Sequence, residues 1–400
     1  MRVEEHAGRC RIELQRQLIE WRRHFHRNPE LSFQEIETAR FVATTLSGFE
    51  GMTVKTGVGK TGVVATLSNG PGKTVAIRAD MDALPITEKS NHDYVSKNQG
   101  VMHACGHDVH TAILLGVAKV LAEKAKVHAF TGTLKLLFQP AEEATDHEGL
   151  SGAPRMMQEG ALDDVDNIIA LHVCPWHEVG VIQVNAGYSM ASVDVFHATI
   201  RGTGGHGGYP HVGTDPVWML GSVLQAFYSL PTRRLSPLDT AVASIGEINA
   251  GSASNVIPAD VSVTGTLRAY CPKVREQLIA EVEKAFKIVE PLGGAYTFSV
   301  VRGEPALSND STVTQVIKEV VAAHKQTYKI VEEPFGLGGE DFGYMTQVVP
   351  GAMFFLGCML PDGIRRDLHT NQFDIDERCL EIGVDLLVDT AIALLHRSDN

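Results

Sequence analysis

Leu14, Leu18, Trp21 and Phe25 recur at helical spacing near the start of the chain, which predicts an amphipathic helix with one buried face. After the break at Asn28-Pro29 the helical pattern resumes over residues 35–46. The period then changes. Residues 63–67, 74–78, 133–138 and 167–171 are short runs rich in apolar and β-branched side chains, and residues 111–124 between them read as a helix. Such alternation predicts an α/β sheet with helices packed on its faces.

From Ser192 the order of elements differs. A strand (192–202), a helix (216–229), two strands (240–247 and 261–270), a helix (274–289) and a strand (295–302) follow one another. This is the βαββαβ order of a ferredoxin-like unit, large enough to fold by itself. The remaining segment offers a helix, a Gly-rich turn, a strand and a closing helix, suited to rejoin the first sheet. We therefore expect two domains, a discontinuous one of residues 1–186 and 303–400 and an inserted α+β one of residues 187–302.

Composition narrows the partners. With 48 acidic against 35 basic residues the formal charge is -13, which disfavours a phosphate-binding surface and hence nucleic acid. No apolar run reaches the roughly eighteen residues of a membrane span, and the charged first ten residues precede no apolar core of a signal peptide. The expected setting is the cytoplasm, without membrane attachment. The cysteines at 10, 105, 174, 271, 358 and 379 are scattered singly, as reduced thiols would be. Two motifs mislead. Gly57-Val58-Gly59-Lys60-Thr61 ends like a phosphate-binding loop but has Val54 where glycine is required. Gly187-Tyr188-Ser189-Met190-Ala191 lacks the last glycine of a nucleophile elbow and runs into a strand.

The densest group of ligand-type side chains is Met102-His103-Ala104-Cys105-Gly106-His107-Asp108-Val109-His110, set just before the helix expected near Thr111. Cys105 and His107 flank a glycine, and thiolate with imidazole suits zinc and its neighbours. The apolar strand before Gln139-Pro140-Ala141-Glu142-Glu143 stops at two adjacent carboxylates, one able to bind metal while the other handles a proton. His172 ends the strand at 167–171, and Asp80-Met81-Asp82 follows the strand at 74–78. Three strands closing on such residues point to one metal site at a sheet edge.

These segments, with His26-Arg27-Asn28-Pro29-Glu30-Leu31, Gly204-Gly205-His206-Gly207-Gly208, Gly338-Gly339-Glu340-Asp341-Phe342 and Leu368-His369-Thr370, give the chain a clear family likeness. It resembles the hippurate hydrolases, plant auxin-conjugate hydrolases and bacterial N-acyl amino acid amidohydrolases, a branch of the two-metal peptidases. The resemblance runs in order along nearly the whole chain. It implies a zinc-peptidase-like catalytic domain whose inserted ferredoxin-like domain serves as lid and dimerisation surface, giving a homodimer or a dimer-based oligomer.

The resemblance further implies two divalent ions per subunit, zinc or manganese with cobalt and nickel as alternatives, held by Cys105, His107, Glu143, His172 and His369. Glu142 matches the general base and Asp82 a carboxylate that orients the site. Asp80 stands where the wider group has a metal-binding histidine. His206 matches a histidine reaching the active site from the other subunit, and Asn255 and Arg268 match residues that hold the substrate carboxylate. The implied reaction is hydrolysis of the amide bond of an N-acyl amino acid by a metal-activated water, releasing a carboxylic acid and an amino acid. Rival readings are a dipeptidase or carboxypeptidase acting on peptide-like amides, and a non-catalytic binding relative.

Overall fold

The computed structural model describes residues 2–324 and 328–397. By its contacts the chain divides into two compact units, one of Met1–Gly187, Ser308–Phe335 and Tyr344–Asn400, the other of Tyr188–Leu307 and Gly336–Gly343.

The first unit is built on an eight-stranded mixed sheet in the order Met52–Val58, Gly62–Ser68, Thr133–Gln139, Thr74–Asp80, Asn167–Glu178, Gly351–Met359, Val181–Gln183 and Lys329–Val331. Its middle four strands are parallel. They are buried almost throughout, as befits strands covered on both faces. Leu18, Trp21 and Phe25 of the Arg2–Arg27 helix join that core, together with Ile113, Leu114 and Val117 of the His107–Lys126 helix and Leu387 and Ala391 of the Cys379–His396 helix.

Register explains where the chemistry gathers. Asp80 pairs with Gln139 and Arg78 with Ala170, so His172, two residues beyond Ala170, lies level with Asp80 and Gln139 at the carboxyl rim of the parallel strands. Two expectations need correcting here. The strand expected to end at His172 continues to Glu178, because the Gly351–Met359 strand still pairs with it there, and His172 marks instead the level at which its other neighbour stops. The helix expected near Thr111 starts at His107, because Gly106 adopts φ 90° and turns the chain directly into it. A Cβ at that glycine would meet Val173 Cγ2 at 2.4 Å.

The second unit is a four-stranded antiparallel sheet in the order Ala241–Ala250, Asp260–Ala269, Ser192–Arg201 and Ala295–Arg302. The helices Pro216–Arg233 and Pro272–Lys287 complete the βαββαβ order. Burial alternates strictly along the two central strands, the mark of a sheet with one covered face. Phe196, Phe227, Phe286 and Val263 fill its core. Residues Gly336–Gly343 group with this unit: Gly336 N donates to Ser189 O at 3.1 Å and Tyr270 Oη donates to Gly336 O at 3.1 Å.

Among the described residues no helix is long and apolar enough to cross a membrane. Cys105, Cys174, Cys271, Cys358 and Cys379 are free thiols, while the Cys10 side chain lies outside the described residues.

Candidate metal centre

Because its helix starts at Gly106, the first turn carries His107 and His110 down onto the strand rim, both of them buried. His107 Nδ1 donates to the Asp82 carbonyl at 2.9 Å and lies 3.2 Å from Asp82 Oδ1. This orients the ring and turns Nε2 toward the cluster. Asp82 Oδ2 accepts from Ser32 Oγ at 2.7 Å and from the Glu143 backbone N at 3.0 Å. Burial opposes ionisation of Asp82, yet its hydrogen bonds, led by that from His107, hold its pKa below the ordinary value.

Around His107 Nε2 stand the other expected ligands. Donor atoms of Cys105, His107 and His172 lie within 4.8 Å of one another, as do those of Cys105, Glu143 and His369 and those of His107, Glu142 and Glu143. Cys105 Sγ is 3.5 Å from His172 Nε2 and 3.3 Å from His369 Nε2. His172 Nδ1 donates to the Val173 carbonyl at 2.7 Å, again turning Nε2 toward the cluster. Two left-handed turns aim the rest: Ala141 at φ 46° before the paired glutamates, and His369 itself at φ 59°. Non-glycine residues held in that region are often found at functional sites.

The donor set fits divalent metal. His107 Nε2 and Glu143 Oε1 are buried without a hydrogen-bond partner, an arrangement costly unless something else satisfies them. Burial, then the facing Glu143 and Glu142, drives the Cys105 thiol well above its usual range, so a thiolate there requires a cation beside it. Burial alone would discharge His107, but Asp80, Asp82 and Glu143 push its pKa up to about 10. Negative charge thus converges on one spot. Burial and the neighbouring His110 hold His172 neutral, the form in which imidazole binds metal.

Asp80 does different work. Its Oδ2 pairs with Arg78 Nη1 at 2.6 Å and its Oδ1 takes the His110 Nδ1 proton at 2.6 Å. His110 Nε2 in turn accepts from Val173 N at 3.0 Å. Both nitrogens of His110 are therefore engaged, and Asp80 acts as a brace between the strand rim and the helix start. Sequence reasoning passed over this brace and also Glu35. That buried carboxylate accepts from Ala141 N at 2.8 Å and from Thr61 Oγ1 at 2.5 Å, and so holds the turn that presents Glu142 and Glu143. Burial, with Asp82 nearby, raises its pKa to about 7. Its only signal in the sequence was its place just after the Pro29-Glu30-Leu31 motif.

The second unit carries the three other expected residues. His206 pairs with Val256 in a short exposed ladder, Gly207 N donates to Asn255 O at 2.8 Å, and Gly208 N donates to His206 Nδ1 at 2.9 Å. His206 and Asn255 are thereby neighbours, with the Nε2 proton of His206 free to donate. Arg268 is set apart from them. It pairs with Val193 at the opposite end of its strand from Asp260, where it donates to Leu267 O at 3.0 Å and to Thr266 Oγ1.

The sequence profile of peptidase family M20/M25/M40 matches residues 76–393. The chain belongs to the M20/M25/M40 family. Among its M20 relatives, an N-acetyl-L-cysteine deacetylase of Bacillus subtilis is 38% identical over 391 residues, covering 96% of this chain and 90% of the relative. The IAA-amino acid hydrolase ILR1-like 2 of Arabidopsis thaliana is 35% identical, covering 94% and 85%. The crystal structure of the Bacillus subtilis YXEP protein, described as a dinuclear metal-binding peptidase of the M20 family, superposes with a TM-score of 0.83 at 32% identity, covering 96% and 99%. The chain is thus an M20-type hydrolase with an α/β fold, and its donor groups suit the dinuclear metal binding of that family.

Proposed function

We propose that this M20 enzyme hydrolyses the amide bond of N-acyl amino acids, releasing a carboxylic acid and a free amino acid. The observation that carries the reading is the Cys105, His107, Glu142, Glu143, His172 and His369 cluster, in which the buried His107 Nε2 and Glu143 Oε1 lack a hydrogen-bond partner. The deacetylase and auxin-conjugate relatives act, by their names, on bonds of this type. A second reading, a carboxypeptidase, is favoured by a 37% identical relative of Saccharolobus solfataricus called thermostable carboxypeptidase 2, matched over 93% of both chains.

Cys105, His107, Glu143, His172 and His369 would hold two divalent ions. The thiolate donor tilts the site toward zinc over magnesium, with manganese, cobalt and nickel as the other candidates. When bound, the ions lower the pKa of a water toward roughly 7 and offset negative charge on the carbonyl oxygen. Glu142 takes a proton from the attacking water and delivers it to the departing nitrogen. Asp82 holds the His107 ring in place through Nδ1. His206 Nε2 supplies a donor for the oxyanion, and Asn255 and Arg268 receive the substrate carboxylate. The second unit serves as the inserted lid and dimerisation domain, each site taking His206 from the partner copy, and the protein works in the cytoplasm.

Metal content by mass spectrometry, with hydrolysis of a panel of N-acetyl, N-benzoyl and N-indoleacetyl amino acids and of dipeptides, tests the reading. Chelation is expected to abolish turnover, and Cys105→Ala to lose metal and rate together. Preference for the dipeptides would favour the carboxypeptidase reading. A metal-loaded protein inert on every compound would overturn both.

A further inference from the structure

A second group of metal-type donors lies in the first unit, in residues that the proposed reaction does not use. Donor atoms of His26, Glu88 and His92 all lie within 4.8 Å of one another. His26 Nε2 is 3.3 Å and His92 Nε2 3.1 Å from Glu88 Oε1. Ligands at about 2.1 Å from a tetrahedral ion stand about 3.4 Å apart, so these separations match those around a shared zinc-like ion.

Each donor is oriented by a contact of its own. His26 Nδ1 is 2.7 Å from Asp108 Oδ2, the carboxylate-histidine pairing that turns the opposite nitrogen toward a metal. Glu88 Oε2 accepts from Ser96 N at 2.7 Å, leaving Oε1 to the cluster. The His92 ring stacks on Tyr94 with centroids 3.7 Å apart. His92 Nε2 is buried and, although near Glu88 Oε1, makes no aligned hydrogen bond to it. His369 Nε2 and Glu143 Oε1 in the candidate metal centre show the same relation, 3.3 Å apart with Glu143 Oε1 lacking a hydrogen-bond partner. His26 Nε2 is itself hydrogen-bonded to Glu88 Oε1 at 3.3 Å, and an ion bound here would take the place of that proton while also reaching the partnerless His92 Nε2.

We propose that His26, Glu88 and His92 form a further divalent-cation site, of the class that binds zinc, cobalt or nickel, separate from the Cys105 cluster. Its place in the fold gives it a structural task. Residues 81–106 hold no helix and no strand of the sheet, and the ion would fasten this segment, through Glu88 and His92, to the Arg2–Arg27 helix at His26. Asp108, which orients His26, follows His107 in the chain and also pairs with the buried Arg22 at 2.9 Å.

The test compares zinc bound per chain in the full-length protein, stripped with chelator and reloaded with excess zinc, between wild type and His92→Leu. The expected result is one equivalent fewer in the variant, with hydrolysis retained. Glu88→Gln, which keeps the side chain's shape, is expected to lose the same equivalent and guards against misfolding of the first variant. Cobalt loading supplies a second readout, a visible absorption component lost in both variants and kept in Cys105→Ala. Equal zinc in wild type and both variants would overturn the site. The difference between proteins decides, whatever total the Cys105 cluster contributes, so failure here is distinguishable from failure of the proposed reaction.

Discussion

The two units treat their polar residues in opposite ways. In the first, Cys105, His107 and His172 are buried, and Asp82, Asp80 and Glu35 brace the histidines and the 140–143 turn from behind. In the second, His206 and Asn255 are exposed on a short ladder supported by backbone hydrogen bonds. Buried donors are set in place by the fold itself, at the cost of desolvation, and a cation repays part of that cost. Exposed donors pay no such penalty and gain their meaning only from what they meet. Substitutions among the metal-type donors of the Cys105 cluster should therefore alter metal content as well as rate, whereas those of His206 and Asn255 should alter rate alone.

The sharpest way to break this contrast lies within the adjacent glutamates. Glu143→Gln is expected to bind metal poorly and lose activity with it. Glu142→Gln should keep its metals and lose turnover by about 10²- to 10⁴-fold, the usual worth of a general base. Metal analysis beside kcat separates the two, and the reverse pattern would exchange their roles.

A smaller loss, about 10²- to 10³-fold in kcat, is expected for His206→Ala with metal content unchanged, as for removal of one oxyanion donor. Refolding it mixed with Glu142→Ala sharpens the point. Random pairing makes about half the dimers mixed, each with one intact site, so activity returns to about a quarter of wild type. No recovery, with mixed dimers shown by tagged pull-down, would place His206 in the service of its own chain.

The mildest expected effect is on stability. The folded pKa of Glu35 lies near 7, above the ordinary 4.5, so the fold favours the protonated carboxyl. Relative to Glu35→Gln, wild-type stability should be constant below about pH 4.5, fall between pH 4.5 and 7, and level off above, a change of about 3 kcal/mol in all. Urea unfolding of the metal-depleted proteins across that range measures it. A pH-independent difference would mean that Glu35 stays ionised.

The same contrast governs what the sequence revealed. The βαββαβ order of the second unit was legible in the succession of its elements, and its two central strands alternate cleanly between core and surface. Cys105, His107 and the paired glutamates stood out because ligand types crowd where strands end. The helix start was misplaced because a left-handed Gly106 leaves no mark in a hydrophobic pattern. The passage of the 167–178 strand beyond His172 depends on the neighbour at 351–359, far along the chain. Bracing by Glu35, Arg78 and His110 was hidden for the same reason, since Glu35 meets Ala141 across 106 positions. Such pairings are written in the fold's register and not in any local spacing.

That spread along the chain bears on how the enzyme is born. Cys105 and His369 touch at 3.3 Å across 264 positions, with the whole second unit made between them. On the ribosome the first four donors emerge and can begin to fold while the fifth is still untranslated. Synthesis thus works as a timer: the centre lacks His369 until the chain beyond the strand at 351–359 has been made. A half-made chain carries Glu142 and four of the five proposed donors, without His369.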